Sequence, residues 1–368
     1  MHYPPLHFDH LARLSDSTGM LQHARWTVPD PSHGYTLDDN VRAFVVALKG
    51  HRQTGQADLI ERARRYLAFM LYAQHDDGRF RNFAGYDRNW LEDVGSPDSN
   101  GRAIWALGHG VRHAPEAGMR DVSMWMFDRA MPHVEALTSP RAVASVLLGC
   151  AEVHAAGRNA QTALAHVERC ATYLAGLFDQ TSNSHWPWFE RSLTYGNATL
   201  PQAMITAGML MHSGRYLDIG RRSLEFLIGL MFDDGANGAL DLIGHDGWYA
   251  RGDVRATFDQ QPIDAGCMVE ALLVAQRAFD EPRYGELAHV ALQWFYGRNR
   301  LDVQLYDAQS GGCRDALIAQ GANENQGAES TLAHLAARLA IDEAALAIKR
   351  EPSQQLNSAR MRSAAMNR

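Results

Sequence analysis

The chain has 368 residues, a formal net charge of −7 and four cysteines. No basic run interrupts the acidic balance and no stretch approaches 18 continuous apolar residues, which argues against nucleic acid and membrane as partners. Cys150, Cys170, Cys267 and Cys313 lack CxxC spacing, and the start MHYPPLHFDH is unlike a signal peptide, so a reducing cytoplasm is the expected setting.

The first polar turn, Asp38-Asp39-Asn40, opens a helix reading VRAFVVALKG beneath the aromatic approach of Trp26 and His33-Gly34-Tyr35. Acids in a first turn cap a helix and favour its dipole by about 0.3–1 kcal/mol, so capping and catalysis are both open readings. ADLIERARRYLAFMLYAQ follows as an amphipathic outer helix. WLEDVGSPDSNGRAIWALG then supplies Trp90, Glu92, Asp98, Asn100 and Arg102, with Asp98 opening the second inner helix. Ser139-Pro140 opens the third, RAVASVLLGC, and AQTALAHVERCATYLAGLF is its outer partner.

HWPWFERSLTYGNATLPQA brings Trp186, Trp188, Glu190, Tyr195 and Asn197 before the fourth inner helix. Flat aromatics beside amides and carboxylates suit sugar rings; the alternative is a hydrophobic plug. After the outer helix RYLDIGRRSLEFLIGLMF, the segment WYARGDVRATFDQQPIDAG carries Trp248, Tyr249, Gln260, Gln261 and Asp264 into the fifth. Adjacent glutamines are costly to bury unpaired, so either a polar ligand or a structural network must satisfy them. RYGELAHVALQWFYG is outer again, and GANENQGAESTL offers Asn325, Gln326 and Glu329 at the sixth inner start. His33, His75, His185 and His245 sit in loops without HExxH or other tight spacing, so no metal and no cofactor is expected.

Six polar turns spaced about 40 to 65 residues apart, each opening a small-residue helix, describe helical hairpins in a ring. The predicted fold is all-α, an (α/α)6 barrel or six-hairpin toroid, spanning residues 1–350 as one domain with a disordered polar tail over 351–368. Strand-like alternation is nearly absent outside the return loops. Parallel inner helices would gather their N-termini at one mouth, the loops lining it with tryptophan. Paired carboxylates there are what glycosidic cleavage needs, one donating a proton while the other activates water or attacks. The acids chosen are Asp39 or Asp98 with Glu329, since the sixth helix neighbours the first once the ring closes. Asp38, Trp90, Glu92, Asn100, Arg102, Trp186, Trp188, Glu190, Tyr195, Asn197, Trp248, Tyr249, Gln260, Gln261, Asp264, Asn325 and Gln326 are expected to bind substrate.

GYTLDDNVRA, SPDSNGRAIWALG, YGNATLPQA, FDQQPIDA and NENQGAESTL resemble a bacterial family of glycosidase-like toroids, the match running from about His7 to Ala340. Members occur alone or fused to glycosyltransferases and are encoded near mannoside phosphorylases. The resemblance implies an oligosaccharide substrate of β-mannoside or β-glucan type and association with a glycosyltransferase. Ala316 departs from the family pattern, which has Gly after Asp315. The expected activity is a glycoside hydrolase, inverting by analogy of fold. Two rivals are a non-catalytic glycan-binding or glycosyltransferase-accessory module and a sugar 2-epimerase. The epimerase needs a base, commonly His, and no inner-helix start places a His at the mouth.

Overall fold

The structure, a computed structural model, describes residues 3–232 and 238–346. The tail expected over 351–368 lies outside the described residues, as does the opening of the return loop at 233–237. Small apolar residues recurring without a wet face build helices α2 (Leu37–Thr54), α4 (Pro97–His113), α6 (Pro140–Ala155), α8 (Thr199–Leu210), α10 (Pro262–Phe279) and α12, over residues 328–346. These form the inner ring. The amphipathic segments form α3 (Asp58–Ala73), α5 (Ala117–Ala130), α7 (Ala160–Thr181), α9 (Gly214–Met231) and α11 (Pro282–Gln293) outside it. Their apolar stripes face the inner helices and their Arg and Glu face solvent.

Side-chain oxygens of Thr36, Ser96 and Ser139 accept the N–H of Asp39, Ser99 and Ala142, capping α2, α4 and α6. Proline occupies the first turn of α4, α6 and α10, where a missing N–H costs nothing. Each inner helix packs on the next from α2 to α10. α12 closes the ring: Gly266 of α10 faces Ala333, and Arg42 of α2 pairs with Glu329 at 3.0 Å. The seam between α4 and α6 is backbone against backbone. A Cβ on Gly108 would lie 2.2 Å from the carbonyl oxygen of Gly149, and one on Gly149 2.5 Å from that of Ile104. Only glycine permits this approach.

The sixth hairpin differs from the others. Its outer half is the N-terminal segment, with a short helix α1 (Asp9–Arg13). His10 Nε2 meets the carbonyl of Gln326 at 2.7 Å, and Arg338 donates to the carbonyl of Pro4 at 2.6 Å.

Strands are more frequent than the sequence suggests. β1 (Leu21–Arg25), β2 (Val28–Thr36) and β3 (Phe83–Ala84) make a three-stranded antiparallel sheet in that order above α2. Pro29 and Pro31 disguise β2 in the sequence, and the β1–β2 register shifts between Leu21 and His23. Two short ribbons pair β4 (Ser192–Leu193) with β5 (Tyr249–Ala250) and β6 (Ala316–Ile318) with β7 (Gly321–Asn323). Ala316 therefore lies in extended backbone, which needs no glycine. Among the described residues no helix is long and apolar enough to cross a membrane, and all four cysteines are free.

Candidate functional site

Helix N-termini converge on a cavity of about 630 Å³ on the ring axis, lined by Asp98, Ser139, Thr199, Ile263 and Glu329 from the starts of α4, α6, α8, α10 and α12 and by Arg42 of α2. The opposite ends of the same six helices line a second axial cavity of about 450 Å³, so the inner helices run parallel. Trp105, Leu148, Gln202 and Glu270 line both and form the septum between them. Glu270 is held there by Lys49 at 3.0 Å, a bridge from α2 to α10.

A smaller cavity of about 240 Å³ opens beside the first and shares Arg42 and Glu329 with it. Asp38, Asp39, Asp315, His23 and Gln261 line this side chamber. Asp38 accepts a bidentate contact from Arg102, 2.8 Å from Nε and 2.7 Å from NH2. Burial pushes the Asp38 carboxyl up, but the charge and hydrogen bonds of Arg102 outweigh it and hold the pKa below its ordinary value. Its neighbour behaves oppositely. Asp39 is 4% exposed, and burial drives its pKa up to about 7, against the pull of Arg42 and Thr36 and helped by Glu329 and Asp38. Arg42 spans the two candidate acids, with NH1 3.4 Å from Asp39 and NH2 3.0 Å from Glu329. Burial also raises Asp315, although Ser330 and the Gly327 N–H donate to it.

In the larger cavity Asp98 accepts from Ser139 and, at 2.6 Å, from the hydroxyl of Tyr195. Arg141 lies over the Tyr195 ring and ties down Glu190 at 2.7 Å. His245, from the loop before α10, places Nε2 2.9 Å from Asp264, which also accepts the Gly196 N–H at 2.6 Å. The His245 ring lies 4.0 Å from that of Trp248. Trp248 has φ 59°, a left-handed conformation that costs a bulky residue about 1–3 kcal/mol and concentrates at functional sites.

Thus Asp38, Asp39, Asp98, Arg102, Tyr195, Trp248, Gln261, Asp264 and Glu329 come together around the two joined cavities, although Asp264 serves mainly to hold His245. Other expected binders lie elsewhere. Trp188 is 0% exposed and Trp186 3%, both core residues; Trp186 Nε1 donates to the carbonyl of Glu190 and its ring packs on Tyr249. Trp186 and Trp188 thus lie in the core with Tyr249 packed against it, and none of the three lines either cavity. Trp90 packs against Phe69 and Tyr72 outside both cavities. Glu92 accepts the N–H of Asn82 and Phe83, and Asn100 accepts the N–H of Phe80, so both brace loops. Asn197 spends its amide on the backbone of Thr194 and on Arg141. Gln260 is satisfied by Asp241, Trp294 and the Leu242 N–H. Asn325 accepts the Trp26 N–H, and Gln326 is bonded to Asp307 and Ser310. These last polar groups form structural networks. His23, Asp315, Arg42 and Arg141 were not among the site residues expected from sequence; His245, expected only as a loop histidine, begins no inner helix and yet lines the larger cavity, hydrogen-bonded to Asp264.

No protein-family model matches the chain, and no curated protein matches it either. Solved structures do. Cellobiose 2-epimerase from Spirochaeta thermophila is 13% identical with a TM-score of 0.69, covering 92% of this chain and 93% of its own. A GH76 α-mannanase from Bacteroides thetaiotaomicron is 11% identical, TM-score 0.65, covering 91% and 93%. An inactive double-aspartate variant of a GH76 α-1,6-mannanase from a Salegentibacter species, in complex with α-1,6-mannotetrose, is 12% identical, TM-score 0.62, covering 91% and 96%. What this chain shares with these epimerases and glycoside hydrolases is the (α/α)6 toroid fold.

Proposed function

We propose that the protein is a glycoside hydrolase acting on β-linked oligosaccharides of the mannoside or glucan type, with Asp39 as proton donor and Glu329 as the base that activates water. The observation that carries this reading is the Asp39–Arg42–Glu329 arrangement. A carboxyl with a pKa of about 7 faces a second carboxylate across one guanidinium. A donor must stay protonated near neutrality, which burial accomplishes here. An inverting pair needs roughly 6.5–9.5 Å between its carboxyl groups, room for a water between donor and base. Asp98, Tyr195 and Trp248 in the adjoining cavity would hold the rest of the glycan.

A second reading, a sugar 2-epimerase, is favoured by one observation. His245 is oriented by Asp264 in the wall of the larger cavity, as a general base beside a sugar carbonyl would be.

NMR of products from manno- and gluco-oligosaccharides of both anomeric series separates the two. Hydrolysis gives shorter glycans, and inversion shows in the first anomer formed. Asp39→Asn and Glu329→Gln should each lower turnover by roughly 10²–10⁴-fold with binding kept. A C2 epimer whose formation depends on His245, with both acid variants fully active, would overturn the hydrolase in favour of the epimerase.

A further inference from the structure

The far end of the ring carries a second cluster unrelated to the mouth. His109 and His113, one helical turn apart on α4, face Glu152 of the neighbouring α6 beside the 450 Å³ cavity. One nitrogen from each imidazole and one Glu152 oxygen lie within 4.8 Å of one another, the single such group among the described residues. His109 is 4% exposed, and its Nε2 is buried with no hydrogen-bond partner. A buried imidazole nitrogen left unsatisfied costs about 1–3 kcal/mol unless something occupies its lone pair.

We propose that His109, His113 and Glu152 bind a divalent transition metal of the zinc class, which staples α4 to α6 at the stem of the toroid. The donor set, two imidazoles at i, i+4 and one carboxylate, is a recurrent three-ligand zinc set, with a fourth position left to water from the cavity. Zinc–ligand bonds of about 2.0–2.2 Å bring donor atoms to roughly 3.5 Å, so modest side-chain rotation closes the site. Arg52 donates to His113 Nδ1 at 2.8 Å, leaving the proton on Nε2, which faces Glu152 at 3.2 Å. Metal binding therefore moves that proton to Nδ1 and turns Arg52 away from His113, toward its other partner Glu343. Arg112 also holds Glu152, at 2.9 Å, through the oxygen that contacts His113.

The test is calorimetric titration of the chelator-treated full chain with Zn²⁺, with the visible absorption of Co²⁺ as a coordination probe. One saturable site per chain and a raised Tm are expected. His109→Ala and the isosteric Glu152→Gln should each weaken binding at least about tenfold and abolish the Co²⁺ band. Arg52→Gln, which removes the competitor for His113, should strengthen binding. Absence of saturable binding, or binding unchanged in folded Glu152→Gln and His109→Ala, would overturn the assignment and leave only metal on surface histidines.

Discussion

Trp188 and Trp248 come from the same kind of aromatic return loop and have opposite surroundings. Trp188 is enclosed by Phe189 and Phe226 in the core, whereas Trp248 lines the mouth cavity beside His245. Trp188→Ala should lower stability by about 3–5 kcal/mol, measured by chemical denaturation, with glycan affinity unchanged. Trp248→Ala should weaken oligosaccharide binding in a fluorescence titration and leave Tm nearly unmoved. Asp39 supplies a pH prediction. Its folded pKa of about 7 lies above the unfolded value of about 3.9, so the folded state holds a proton that the unfolded state releases. Its stabilising contribution is complete below about pH 4 and is lost as pH rises through about 7, with a slope near 1.4 kcal/mol per pH unit in between. Asp39→Asn should flatten that part of the stability curve. At this scale the sequence was legible where a residue begins an inner helix, as Asp39, Asp98 and Glu329 do. It was illegible in the loops, because inward and outward tryptophans have the same local context.

The helix starts were the most readable elements, since capping serines, threonine and first-turn prolines act locally and mark all of α2, α4, α6 and α10 within a residue or two. Their packing was not readable. Gly108 and Gly149 look like weak points in their helices, yet they let α4 and α6 touch through their backbones. Gly149→Ala places a methyl 2.5 Å from the Ile104 carbonyl, and overpacking of this kind should cost about 1–3 kcal/mol, seen as a lower urea midpoint. Two local features of the sequence carry more structure than their residue types suggest. HGVRH puts His109 and His113 on one helix face, a spacing of four that the expectation of no tight histidine spacing overlooked. The hairpin of β1 and β2 was hidden by its prolines, because strand propensity there yields to the pairing of Ala24 with Pro29 and Arg25 with Val28.

At the scale of the molecule, hairpin-length recurrence was sufficient to read the toroid, because six parallel inner helices leave little choice but a ring. Recurrence could not show that the N-terminal segment closes the sixth hairpin, which depends on contacts such as His10 to Gln326 across the whole chain. Nor could it show that the axis is divided. Lys49 and Glu270 cross between helices that are not neighbours in the ring and seat the septum under the mouth. Removing one partner, as in Lys49→Met, should cost roughly 3 kcal/mol, whereas Lys49→Met with Glu270→Leu should recover most of the loss; thermal denaturation of the three proteins checks this.

That septum takes one side chain from each of four successive inner helices, Trp105 from α4, Leu148 from α6, Gln202 from α8 and Glu270 from α10. The two axial cavities therefore share a wall, and a substitution that shifts any of these four side chains reshapes both spaces at once.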